Sequence, residues 1–176
     1  MKTLYIDKSA GDARDGGWVR GLDLAEVGRI VVGTGPGSFA GIRSAIAFAQ
    51  GYSIATGCEV LGLPSACAFA REGEDVAVVG DARRGLLWVA LLHGYSLVRD
   101  VFQVVEGDIA AAVPDGFAVT SPDDRRIGGL LRGVFGERYD GGGTADSDGL
   151  RRFADANPAA LVREPLPIYL NPAVRP

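Results

Sequence analysis

Short β-branched apolar runs alternate along this chain with glycine-rich polar breaks. Leu4-Tyr5-Ile6 is the first run and ends at Asp7, Ile30-Val31-Val32 is the second, and Glu59-Val60-Leu61-Gly62-Leu63 is the third, closed by Pro64. Runs of this length bounded by Gly and Pro predict buried strands. Between the second and third, Ser38 precedes a long stretch of small and apolar residues that reaches Thr56. Ser is a favoured N-cap, so a helix over 38–56 is predicted. Its large apolar positions are Phe39, Ile42, Ile46 and Ile54, while Ala40, Ser44, Ala47 and Gly51 form a stripe of small ones. Few charges interrupt it, so most of its surface is expected to be covered. The small stripe lets another helix come close. Two readings follow, packing within the chain or contact with a second subunit.

The same pattern continues downstream. A short helix is predicted over 65–71 and a polar turn over 72–75. Strands over 76–79 and 86–92 flank Asp81-Ala82-Arg83-Arg84-Gly85. A third strand is expected over 97–105, a short helix over 108–113, a strand over 117–120, and helices over 124–132 and 148–157, the last stopped by Pro158. Gly141-Gly142-Gly143 reads as a flexible connection. Upstream, the segment 12–21 is polar and glycine-rich, with Trp18-Val19-Arg20 as a remnant strand, and 23–27 holds one or two helical turns. The order of elements predicts an α/β fold in two lobes, 1–75 and 76–176.

The break Gly33-Thr34-Gly35-Pro36-Gly37 cannot extend a strand. Strand, glycine loop and helix N-terminus together point N–H groups and a helix dipole at one spot, which suits an anion. Glycines equally allow a tight turn and close backbone packing. The loop has neither the Gly-Lys-Ser/Thr of a P-loop nor the spacing of a dinucleotide site.

Composition narrows the classes. The chain of 176 residues suits one large domain or two small lobes. A net charge of −4 and a pI of about 5.0 make it a poor electrostatic partner for RNA on its own. Cys58 and Cys67 are expected to be reduced core residues of a cytoplasmic protein, since no export signal opens the sequence. No stretch approaches the roughly 20 apolar residues of a membrane span. The single histidine, His93, reads as an exposed loop residue, and no metal-ligand spacing is present.

Gly35-Pro36-Gly37-Ser38-Phe39-Ala40-Gly41-Ile42-Arg43 resembles the G-P-G-S-F-T-G-x-R signature of the TsaB (YeaZ) family, with Ala40 where Thr is usual. Ala49-Gln50-Gly51, Val60 to Ser65, Asp81 to Gly85 and Pro167-Ile168-Tyr169-Leu170 resemble further segments of that family in the same order. The resemblance runs from about Arg29 to the C-terminus. It implies an actin-like (ASKHA, ribonuclease H-like) two-lobe α/β fold. That family places a β-hairpin and a long helix between its first strand and its glycine loop. Here about 25 residues fill that interval, too few for both, so a truncated N-terminal lobe is expected. Lys8-Ser9-Ala10-Gly11 stands where the family has T-S-T.

The resemblance further implies a non-catalytic scaffold for synthesis of threonylcarbamoyladenosine in tRNA. Its partners would be a TsaD-like catalytic subunit and a TsaE-like ATPase, with tRNA met only indirectly, a homodimer in isolation, and no membrane. The catalytic relatives hold a metal with paired histidines, which this sequence lacks, and no nucleophile–base pair fits the older glycoprotease label. The implied partner interface comprises Phe39, Ala40, Ile42, Arg43, Ala47 and Gly51. Asp7, Gly35, Gly37, Ser38 and Asp81 are the candidates for a nucleotide loop holding ATP or ADP with Mg²⁺ between lobes. Two alternatives stay open: a nucleotide-binding actin-like ATPase, and a degenerate homologue that only homodimerises.

Overall fold

The computed structural model describes residues 2–10 and 17–170. Part of the polar segment over 12–21, Gly11 of the first loop and the last residues of the family-like stretch lie outside the described residues. In chain order the elements are β1 (Lys2–Ile6), β2 (Val27–Gly33), α1 (Phe39–Thr56), β3 (Glu59–Leu63), β4 (Asp75–Arg83), β5 (Leu86–His93), β6 (Ser96–Leu97) and β7 (Phe102–Val105). Then come α2 (Ile109–Ala112), β8 (Ala118–Ser121), α3 (Asp124–Phe135), β9 (Tyr139–Gly142), α4 (Ser147–Ala156) and β10 (Val162–Arg163). Among the described residues no helix is long and apolar enough to cross a membrane.

Two compact units result. The first holds the chain up to Ala68 together with Ala145–Ile168, and the second holds Phe69–Thr144 and the residues from Tyr169 on. The first unit is built on a four-stranded sheet ordered β1-β2-β3-β10. β1, β2 and β3 are parallel, and β10 adds antiparallel to β3. Parallel strands need cover on both faces. On one face Ile42, Ala45, Ile46 and Ala49 of α1 meet Ile6, Ile30 and Val32 in a closed apolar cluster. α4 packs against β1, and its Leu150 and Phe153 are fully buried.

The second unit holds a sheet ordered β6-β5-β4-β8-β9, with β7 also pairing β5. β4 and β5 form an antiparallel hairpin, while β8 and β9 add in parallel. Alternate residues Ala77, Val79, Leu87, Val89 and Leu91 meet Ile109, Ile127, Leu131 and Phe135 from α2 and α3. The intervening Val76, Val78, Trp88, Ala90 and Leu92 are buried as well, so both faces of this pair are covered. On the opposite face the Trp88 indole lies so close to Gly80 that any side chain there would overlap it.

Several local expectations change. The span Gly17–Gly21 is a 3-10 turn, not a remnant strand, because β1 pairs directly with β2 and leaves no place between them. Residues 23–24 are irregular, 25–26 form a turn, and the strand begins at Val27. The short helix after Pro64 is a 3-10 turn, Ser65–Phe69. The third strand over 97–105 is two strands, because the exposed Val98-Arg99 pair takes a bend while β6 and β7 dock on opposite ends of β5. Gly142 belongs to β9 rather than to a flexible link. Its hydrogens sit against Asp124 and those of Gly143 against Phe69, so these glycines serve close packing.

Candidate functional site

The glycine loop is positioned by β2 below and α1 above. Ser38 caps α1, its hydroxyl accepting from the Gly41 N–H at 3.3 Å. Gly35 and Gly37 have φ values of 93° and 154°, which a side chain would resist. Three N–H groups of the loop are engaged within the unit. Thr34 N–H donates to Leu63 at 2.8 Å, Gly35 N–H to the Ser65 hydroxyl at 2.9 Å, and Ser38 N–H to the Ser9 carbonyl at 2.7 Å. Ser65 N–H returns a bond to the Gly35 carbonyl at 2.8 Å. Ser9 lies against Gly37 and the Lys8 carbonyl against Gly41, so close that a methyl on either glycine would overlap them. The first loop therefore rests directly on the glycine loop and the start of α1.

Asp7 completes this joint. One carboxylate oxygen accepts from both the N–H and the hydroxyl of Ser9, at 2.8 and 2.6 Å. The other is buried with no hydrogen-bond partner. Ser65 is near enough for its hydroxyl to favour the charged form, yet it makes no formed bond to that second oxygen. Burial dominates and raises the Asp7 pKa above the ordinary carboxylate range, with the Asp146 charge adding to the rise.

Asp81 stands in the second unit with partners of its own. Its N–H donates to an Asp123 carboxylate oxygen at 2.9 Å, and its own Oδ1 accepts from Arg83 N–H at 2.7 Å. Its Oδ2 faces guanidinium nitrogens of Arg83 and Arg126, each at 3.3 Å. Sequence reasoning missed Asp123 and Arg126, because no local pattern links positions 42 apart. It also missed the role of Ser65, although Ser65 closes a stretch already singled out.

The predicted partner residues fall on α1. At 100° per residue, Phe39, Ala40, Arg43, Ala47, Gly51 and Ile54 occupy roughly one third of the helix circumference, and all are exposed. Phe39 is 55 % exposed and Ile54 88 %. The Arg43 guanidinium lies over the Phe39 ring at 4.9 Å. Ile42, named with them from the sequence, points the other way and is buried against the sheet. Both cysteines are buried, and burial pushes the Cys67 thiol up to about 12. His93 is exposed and pairs with Asp75 at 2.5 Å. Among the described residues no group of three or more His, Cys, Asp or Glu side chains is arranged to hold a metal ion.

Known proteins resemble this molecule at three levels. The uncharacterized protein Rv3421c of Mycobacterium tuberculosis is 34% identical over 79 residues, which are 44% of this chain and 37% of that protein. The uncharacterized protein Mb3455c of Mycobacterium bovis matches to the same extent. The chain thus spans little more than a third of the length of the curated relatives it matches. In structure, YeaZ from Pseudomonas aeruginosa superposes with a TM-score of 0.70 at 20% identity, over 96% of this chain and 99% of that one. A second solved protein, described as similar to peptidase YeaZ from Pseudomonas aeruginosa, gives 0.63 with the same identity and coverage. These likenesses show the actin-like fold. Residues 19–127, more than half of the chain, match the family described as TsaD, tRNA N6-adenosine threonylcarbamoyltransferase, and to that family, in its YeaZ-like form, the chain belongs.

Proposed function

We propose that this protein is a non-catalytic subunit in the modification of tRNA adenosine to threonylcarbamoyladenosine, and that it binds a TsaD-type catalytic subunit through the outward face of α1. The exposed face of α1 carries this reading. Large apolar groups, Phe39 and Ile54, stand on it with the small residues Ala40, Ala47 and Gly51 between them. A patch of that kind on a protein surface favours another protein over water. The small residues let a second helix approach closely, and Arg43 can reach an acidic side chain on it. The single histidine of the sequence supports the non-catalytic part, since the catalytic relatives implied by the resemblance hold their metal with a pair. A TsaE-like ATPase is the further partner in the same assembly.

The test is co-purification with the TsaD protein of the same organism, followed by sizing. A stable one-to-one complex is expected. Ala47→Glu places a charge at the centre of the α1 face without touching the core, so it should abolish the complex while leaving the melting temperature within a few degrees. A wild-type protein that elutes alone at micromolar concentrations would refute the reading. A complex with the TsaD protein that persists in the Ala47→Glu variant would remove α1 as the interface.

A further inference from the structure

The turn between β4 and β5 is built against its own preferences. Two-residue hairpin turns with left-handed backbone select Asn and Gly. Here the two-residue turn is Arg84-Gly85, with φ of 57° and 75°, so Arg84 stands where Asn or Gly is usual, and Arg83, the last residue of β4 beside a register shift, has φ of 71°. Side chains at such positions are strained, and strain of this kind collects at functional sites. The same turn is tied to the start of α3. Asp81, whose side chain is only 15 % exposed, holds Arg83 and Arg126 on one oxygen and takes its N–H bond to Asp123. Arg125 precedes Arg126 in the first turn of α3. Four arginines are thus carried, all exposed, on two segments that one carboxylate joins. Arg84 and Arg125 have no ion-pair partner among the described residues.

Asp81, Asp123 and Asp124 offset part of this charge, and the two arginines left without an ion pair among the described residues are Arg84 and Arg125. Asp123 is occupied by the Asp81 N–H, and Asp124 accepts the Tyr139 hydroxyl at 2.6 Å. Guanidinium forks pair with carboxylates through two parallel bonds, so Arg84 and Arg125 suit a ligand that brings two carboxylates in close succession. A nucleic-acid backbone is the poorer fit. It rewards many phosphate contacts along a basic stripe, whereas this patch is small and the chain as a whole carries a charge of −4. We propose that the β4–β5 turn and the first turn of α3 form a binding site for an acidic segment of a partner protein. This site belongs to the second unit, whereas α1 belongs to the first.

Fluorescence anisotropy with a labelled oligoglutamate peptide tests this on the full-length protein. Saturable binding is expected. Arg84→Gly should weaken it about tenfold, the loss of one charge-assisted pair. Glycine relieves the left-handed strain at that position, so the same variant should melt no lower than wild type, which separates lost binding from lost folding. Arg125→Gln should weaken binding likewise, and Ala47→Glu should leave it unchanged. No binding to oligoglutamate, or binding that both arginine variants leave intact, would overturn the site. Tighter binding of a single-stranded RNA of equal charge at physiological salt would overturn the choice of partner.

Discussion

Asp7 keeps one oxygen fully employed by Ser9 while the other meets no donor, and this imbalance has a pH signature. Burial raises its folded pKa, whereas the unfolded value stays near about 3.9. Between those two values the folded chain holds a proton that the unfolded chain has already released. Stability therefore falls as pH rises through that window and levels off above it. Asp7→Asn keeps an oxygen for Ser9 and removes the ionisation. Its stability relative to wild type should grow from about pH 4 upward and then plateau. Chemical denaturation across pH measures this, and parallel curves for the two proteins would refute it. The presence of an acid at the end of the first strand was legible in the sequence. Its neighbours were not, because Ser65 and Gly33 reach it only once β1, β2 and β3 lie side by side.

Two glycines of α1 illustrate what a helix needs and what its surroundings need. Gly51 faces open space, so Gly51→Ala should stabilise the protein by about 0.5–1 kcal/mol through helix propensity alone. Gly41 lies under the Lys8 carbonyl, and Gly41→Ala should cost about 2–3 kcal/mol, since backbone rather than a flexible side chain must give way. Urea unfolding of both variants checks the contrast, and equal effects would mean that the first loop is not held on the helix. The start of α1 was readable from Ser38 and its body from the apolar spacing. Its outward face was readable only in part. Ile42 and Phe39 look alike in the sequence, and only the angle about the helix axis separates the buried one from the exposed one. The division of 97–105 into β6 and β7 was likewise hidden, since the bend at Val98-Arg99 shows only when both ends are already paired to β5.

At the scale of the whole molecule, local pattern predicted the α/β class and the order of most elements. Contacts between distant segments escaped it. Asp81 meets Asp123 across 42 positions, and no periodicity encodes that meeting. The return of Ala145–Ile168 to the first unit is another case, as α4 is an ordinary amphipathic helix whose sequence does not say which sheet it covers. That return has a consequence for how the protein is made. Residues 69–144, which carry every described strand and helix of the second unit, leave the ribosome as one uninterrupted stretch and can pair at once. The first sheet, though translated earliest, must wait for β10 and α4. At about 5–20 residues per second the delay is on the order of 5–20 s. During that interval one face of a parallel sheet stands bare in the producing cell. The part of the chain that is born first is the last to mature, and it is the part that a nascent-chain chaperone would guard.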